Sequence, residues 1–219
     1  MNKIWQIGLF IWLILVFMGA FLWAPLAKGL GEYTRILYFH VPVAWISVLA
    51  FLISAVCSVL YLKTREIKYD LFTESASQLG FVFCILATIT GSIWAKLSWG
   101  EFWNWDPRET SIFILLLIYA AYFALRSAVE PSDRKAALAS VYSIFAFITV
   151  PFLIFIIPRV YSSLHPDPLI NPRAKIDMDS KMLITFLSSL FGFTVFFLWL
   201  FKRKIDLVLI KIDLKALEN

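Results

Sequence analysis

Two histidines, His40 and His165, are the only imidazoles in the 219-residue chain. Imidazole is the side chain whose lone pair is most readily offered to a metal near neutral pH. His40 lies in LYFHVPVAW and His165 in YSSLHPDPLINP. Between them SWGEFWNWDPRET, Ser98 to Thr110, concentrates Trp99, Trp103 and Trp105 beside Phe102. Each indole can bury about 150–250 Å² against a flat apolar partner. Both groups also have plainer uses. An isolated histidine near a membrane surface serves as a polar tip, and tryptophans at helix ends form a belt in the headgroups.

Several chemistries are excluded. HExxH, a Gly-rich phosphate loop and GxSxG do not occur, and two histidines without a third ligand make a poor catalytic zinc site. Cys57 and Cys84 sit inside apolar runs without CxxC or CxxCH spacing, and read as buried thiols.

The elements that must position these residues are membrane helices. The chain is 61% hydrophobic and 16% charged, against about 45–50% apolar and 25% charged in soluble domains. Its net charge of +5 is therefore read as loop lysine and arginine, not as a nucleic-acid surface. Apolar runs of about 20 residues suffice to span a bilayer. Six occur, Ile4 to Ala24, Ile36 to Leu62, Leu79 to Leu97, Ser111 to Leu125, Ala136 to Ile157 and Met182 to Phe201. The fold class expected is an all-α polytopic membrane protein, a single domain over residues 1–219. The first run is too long for a signal-peptide core and lacks an A-x-A site, so it reads as an anchor. These spans carry almost no internal charge, which argues against a pump or a charged-substrate path.

An even number of spans leaves both termini on one side. Lys63, Arg65, Lys68, Arg126, Arg134, Lys135 and the run from Lys202 are denser than the basic residues of the other set, so both termini are expected in the cytoplasm. Residues 98–110 then form an outward loop, and residues 202–219 read as an amphipathic tail on the inner leaflet. Within the loop, Asp106 can cap the fourth helix, Pro107 suits its first position, and Glu109 sits where a capping box needs it. Pro42 disfavours helical geometry at Val41, predicting a kink or a start in the second helix.

With that orientation both histidines and the tryptophan loop face outward together. Imidazoles are good axial ligands for haem iron, and a porphyrin matches an indole surface. Arg35, Arg108, Arg159 and Arg173 lie on the same side and could meet its propionates, or equally lipid headgroups.

WGEFWNWDPRE resembles the tryptophan-rich WWD domain of the haem-handling proteins of cytochrome c maturation. RILYFHVPVAW, and SLHPDP followed by IDMDSKML, are similar to the haem exporter protein C branch of that family, CcmC, over nearly the whole chain. The resemblance implies a six-helix protein of the bacterial inner membrane that is not an enzyme. It would hold non-covalent haem b on its periplasmic face and load it onto the haem chaperone CcmE, in partnership with CcmD, CcmA and CcmB. Carried over by position, His40 and His165 would be the iron ligands. Trp99, Gly100, Trp103, Trp105 and Asp106 would form the haem platform, and Arg35 and Arg108 match basic positions beside the motifs. WNWDPRET is also similar to the loop of the larger cytochrome c synthetases CcsA and CcmF. Those use further histidines within their helices, which this chain lacks, and synthetase activity is the alternative reading.

Overall fold

The computed structural model describes residues 3–130, 132–165 and 178–217. Among these the regular structure is helical throughout. Helix α1, Lys3–Met18, ends in a π-helical turn, Gly19–Trp23. A 3-10 turn at Gly31–Ile36 leads into α2, Leu37–Thr64, followed by α3, Ile67–Trp99, and α4, Pro107–Ala128. Helix α5, Ser132–Pro151, continues through a π-helical turn, Phe152–Ile156, into the short α6, Ile157–Val160. Helix α7 runs over Ser180–Leu217.

Six of these stretches are long and apolar enough to cross a membrane, as the sequence predicts. Their limits differ in instructive ways. The fourth, read as Ser111 to Leu125, gains Pro107 to Thr110 from the loop because Asp106 caps it there. The third starts at Ile67, not Leu79, and so takes Asp70 and Glu74 into the helix. The tail from Lys202 continues α7 without a break as far as Leu217.

Helices α2, α3, α4 and α5 form a ring in which each packs on the next and α5 returns to α2. Helix α7 lies outside against α2 and α3, and α1 packs on α7. The middle of the ring is closed by Phe51, Cys84, Leu115, Tyr119 and Val150, all with no exposed surface. Phe51 and Tyr119 stack with ring centroids 3.5 Å apart.

Pro42 does not start α2, which begins at Leu37 and carries the proline, fully buried, inside. A proline cannot donate to the carbonyl four residues earlier, here Tyr38. The hydroxyl of Ser189 on α7 donates to the Tyr38 oxygen instead, so the lost intrahelical bond becomes a tie between helices.

Toward the end opposite the tryptophan loop the ring is polar. Ser54 Oγ lies 2.7 Å from Ser77 Oγ and 2.8 Å from Ser143 Oγ. Further on, Arg126 donates to Asp70 through two nitrogens, at 2.6 and 3.0 Å, and to Glu74 at 2.9 Å. The expectation of nearly charge-free spans is thus corrected: this ionic cluster is buried between α3 and α4, where pairing offsets its desolvation. Arg126, read as a loop charge, is a core residue.

Candidate functional site

Helix α3 ends because Gly100 takes the left-handed conformation at φ +88°, which an L side chain resists. Its carbonyl accepts from Lys96 Nζ at 2.7 Å. Gly100 is therefore a helix terminator that turns the chain into the tryptophan loop. At the far side of that loop Trp105 has φ +63°, a strained value for a bulky residue. The turn is held by Asn104, whose Oδ1 accepts from the Asp106 N–H at 3.0 Å, and by Thr110, whose hydroxyl donates to the Trp105 carbonyl at 3.1 Å.

Asp106 caps α4 as expected, accepting from the Arg108 N–H at 2.9 Å. The capping box is modified. Glu109 reaches back past Asp106 and accepts from the Asn104 N–H at 2.9 Å, because Asn104 already serves the Asp106 N–H. Its other oxygen, Oε1, is buried without a hydrogen bond.

The cap has a second task that binds two distant segments. Asp106 is 5% exposed, and its carboxylate also accepts from the Leu164 N–H at 2.8 Å and from Ser163 Oγ at 2.9 and 3.0 Å. It lies 3.0 Å from His165 Nδ1. Burial alone would raise the Asp106 pKa, but the Arg108 and Leu164 N–H groups and the Ser163 hydroxyl hold it below the ordinary value. His165 moves the other way from a salt bridge. Burial, with the Arg108 guanidinium adding to it, outweighs the pull of Asp106 and brings its pKa down to about 4. At neutral pH His165 is thus a neutral imidazole. Its Nδ1–H donates to the carboxylate, which leaves the lone pair on Nε2. This is the arrangement by which a carboxylate orients a metal-binding histidine. The ring is further enclosed by Trp94, stacked at 5.5 Å, and by Trp99, edge-on at 4.8 Å.

His40 reaches the same state by different partners. Its Nδ1 lies 3.0 Å from Thr90 Oγ1 on α3. The single hydroxyl proton of Thr90 is directed to the Leu86 carbonyl at 2.8 Å or the Ala87 carbonyl at 3.2 Å. With that proton so placed Thr90 accepts from His40, and Nδ1 then carries the proton and Nε2 the lone pair. The next residue, Gly91, makes room: a Cβ there would meet His40 Cε1 at 3.0 Å.

Both imidazoles line one cavity of about 390 Å³ at the tryptophan-loop end of the ring. That lies within the range of about 300–1,000 Å³ usual for small-molecule sites. Its walls are mostly apolar, among them Val41, Ala44, Ala87 and Ile112, with Trp103, Arg108, Glu109 and Arg159 at its rim and sides. Two neutral imidazoles with free Nε2 atoms on an apolar cavity, an indole wall and arginines beside it suit a flat iron porphyrin with anionic edges.

The structure thus gathers His40, His165, Trp103, Arg108 and Arg159 on the cavity, with Asp106 behind His165. Trp99 meets the site only through His165. Trp105 is 68% exposed and stands edge-on to Trp103, their rings at 88°, so the two indoles make no coplanar platform. Arg35 is engaged elsewhere, with Glu32 and with the Ala20 carbonyl at 2.6 Å, where it joins the end of α1 to the start of α2. Arg173 lies outside the described residues. Trp94, Thr90, Gly91 and Ser163 were not anticipated. Gly91 alone carried a signal, since a glycine inside an apolar helix costs about 1 kcal/mol unless something approaches closely.

The model of the CcmC family, Heme exporter protein C, matches residues 1–218. The chain belongs to the CcmC family. A ccmC-like mitochondrial protein of Marchantia polymorpha, named for cytochrome c biosynthesis, is 34% identical over 178 residues, 80% of this chain and 75% of that one. Heme exporter protein C of Bradyrhizobium diazoefficiens is 32% identical over 170 residues, 78% of this chain and 64% of its own. That of Haemophilus influenzae is 30% identical over 212 residues, 94% and 86% of the two chains. The match to this CcmC family member therefore extends over all six membrane-spanning helices and both histidine contexts.

Proposed function

We propose that the protein holds haem non-covalently in the cavity between α2, α3, α4 and α5, with His40 and His165 as axial ligands through Nε2. Trp103 walls the porphyrin, and Arg108 and Arg159 meet its propionates. The bound haem would supply iron as the site to be ligated, and these residues orient it and keep water off its faces. The observation that carries this reading is a shared geometry: each Nδ1 lies 3.0 Å from a protein oxygen, Thr90 Oγ1 or Asp106 Oδ1, while both rings line one cavity. Membership of a family whose relatives are named for heme export and cytochrome c biosynthesis supports the ligand class.

In this reading the protein sits in the bacterial inner membrane with both termini in the cytoplasm. The cavity faces the periplasm, where haem b passes to the chaperone CcmE, and CcmD, CcmA and CcmB are its partners. It delivers haem and performs no covalent chemistry on it. Detergent-purified protein is expected to give a six-coordinate bis-histidine spectrum. His40→Ala and His165→Ala should each lose that spectrum, and exogenous imidazole should restore it. Haem-free protein that still supports cytochrome c maturation would refute the reading. The synthetase alternative predicts covalent haem on apocytochrome in cells lacking the chaperone.

A further inference from the structure

The two histidines have acceptors of different strength. His165 donates to a carboxylate that is itself fixed by Arg108, Ser163 and Leu164. His40 donates to a neutral hydroxyl whose own proton is spent on a helix carbonyl. An acceptor on the far nitrogen raises the basicity of a metal-binding imidazole, and an anionic acceptor raises it more than a neutral one. We propose that Thr90 is a positioning residue that fixes His40 with Nε2 as its ligating nitrogen, and that His40 is the weaker axial ligand. It is then the bond that opens first when haem leaves. Gly91 eases the seat, because a Cβ there would lie 3.0 Å from His40 Cε1 and the ring would have to shift to accommodate it.

The proposal rests on the haem reading above, and its test separates the two. Carbon monoxide can bind ferrous six-coordinate haem only after an axial ligand dissociates, so its binding rate in purified protein reports the weaker bond. Thr90→Val keeps the side chain's shape and removes the acceptor. The rate is expected to rise about 10-fold or more, the scale usual for losing an orienting partner of a metal-bound histidine. Thr90→Ser, which restores the acceptor, should return it to within about twofold of the parent. Gly91→Ala provides a second variant, since its Cβ would crowd His40 Cε1 at 3.0 Å and strain the contact with Thr90, and it should raise the rate in the same direction. Haem held through His165 alone, in His40→Ala, should dissociate about 10-fold more weakly than haem held through His40 alone, in His165→Ala. An unchanged rate in Thr90→Val, or equal or reversed retention in the two alanine variants, overturns the proposal. Parent protein without a six-coordinate spectrum would instead overturn the haem reading itself.

Discussion

Replacing Asp106 by Asn tests the link between the helix cap and His165. The carboxylate receives the Arg108 N–H, the Ser163 hydroxyl and His165 Nδ1–H on Oδ1, and the Leu164 N–H with the same hydroxyl on Oδ2. An amide must turn one of these positions into an NH2 group. It will settle on the Oδ2 side, where fewer donors meet it, and leave the Leu164 N–H facing another donor. The loss is one charge-assisted hydrogen bond plus a buried donor without an acceptor, about 2–3 kcal/mol. His165 keeps an acceptor but a neutral one, on a segment no longer pinned at Leu164. With 1.4 kcal/mol per factor of ten, haem affinity should fall about 30–140-fold if the whole loss is felt at the ligand. Titration of haem into the detergent-solubilised variant, followed by absorption, gives the dissociation constant. Because Asp106 acts through His165, the substitution should cost little when made in His165→Ala, a coupling that a double-mutant cycle isolates. Affinity within twofold of the parent and an unaltered spectrum would refute the reasoning. So would a full additive loss in the double variant, which would mean that Asp106 serves the fold alone.

Trp103 and Trp105 should separate, although they are two residues apart: Trp103→Ala removes a cavity wall and is expected to weaken haem retention about tenfold. Trp105→Ala, at an exposed position, should change it by less than about twofold, and the opposite order would contradict the site. The folded His165 takes a proton only near pH 4, against an ordinary 6.5. An unfolded chain binds that proton first as pH falls, so its contribution to stability is whole above about 6.5 and lost between there and about 4. Ligation should accordingly hold steady from about pH 8 to 5 and fail near 4, and a spectral midpoint near 6.5 would be inconsistent with a buried neutral ring. Arg126→Met strands the buried Asp70 carboxylate and should cost about 3 kcal/mol of stability, measured by thermal unfolding in detergent, with the haem spectrum unchanged in protein that stays folded.

The number and order of the spans were legible because bilayer thickness fixes how long an apolar run must be. The packing faces were not, and the reason is the solvent. In water an apolar stripe marks the core, but here both the lipid face and the core of α2 and α3 are apolar, so periodicity loses its contrast. Asp70 and Arg126 show the consequence: they look like loop charges, and only their pairing across α3 and α4 makes them core residues. The histidines and the DPRE cap stood out because polar groups of special shape are scarce in such a chain. What partnered them did not, since Thr90, Ser163 and Trp94 are of common types and their roles come from contacts between distant segments, such as Ser163 with Asp106, 57 residues apart, and Trp94 with His165, further apart still. Arg35 shows the same from the other side: its contacts are Glu32, three residues away in the 3-10 turn, and the Ala20 carbonyl, neither of which its place in the sequence announces.

The architecture also bears on how a porphyrin could come and go. Beneath the cavity the ring is closed by the stacked pair Phe51–Tyr119 with Leu115, Cys84 and Val150, packed without exposed surface. A flat ligand passing along the ring axis would have to part that layer, and then the hydroxyl cluster of Ser54, Ser77 and Ser143 below it. Each opened contact in such a core costs free energy without any bond gained in return. Among the described residues, the other end carries the tryptophan loop and residues 161–165, joined through the carboxylate of Asp106. That junction ties a loop to a helix start, and His165 is part of it. Asp106 therefore does two things with one carboxylate: it orders His165 and it ties the start of α4 to the segment that carries that histidine.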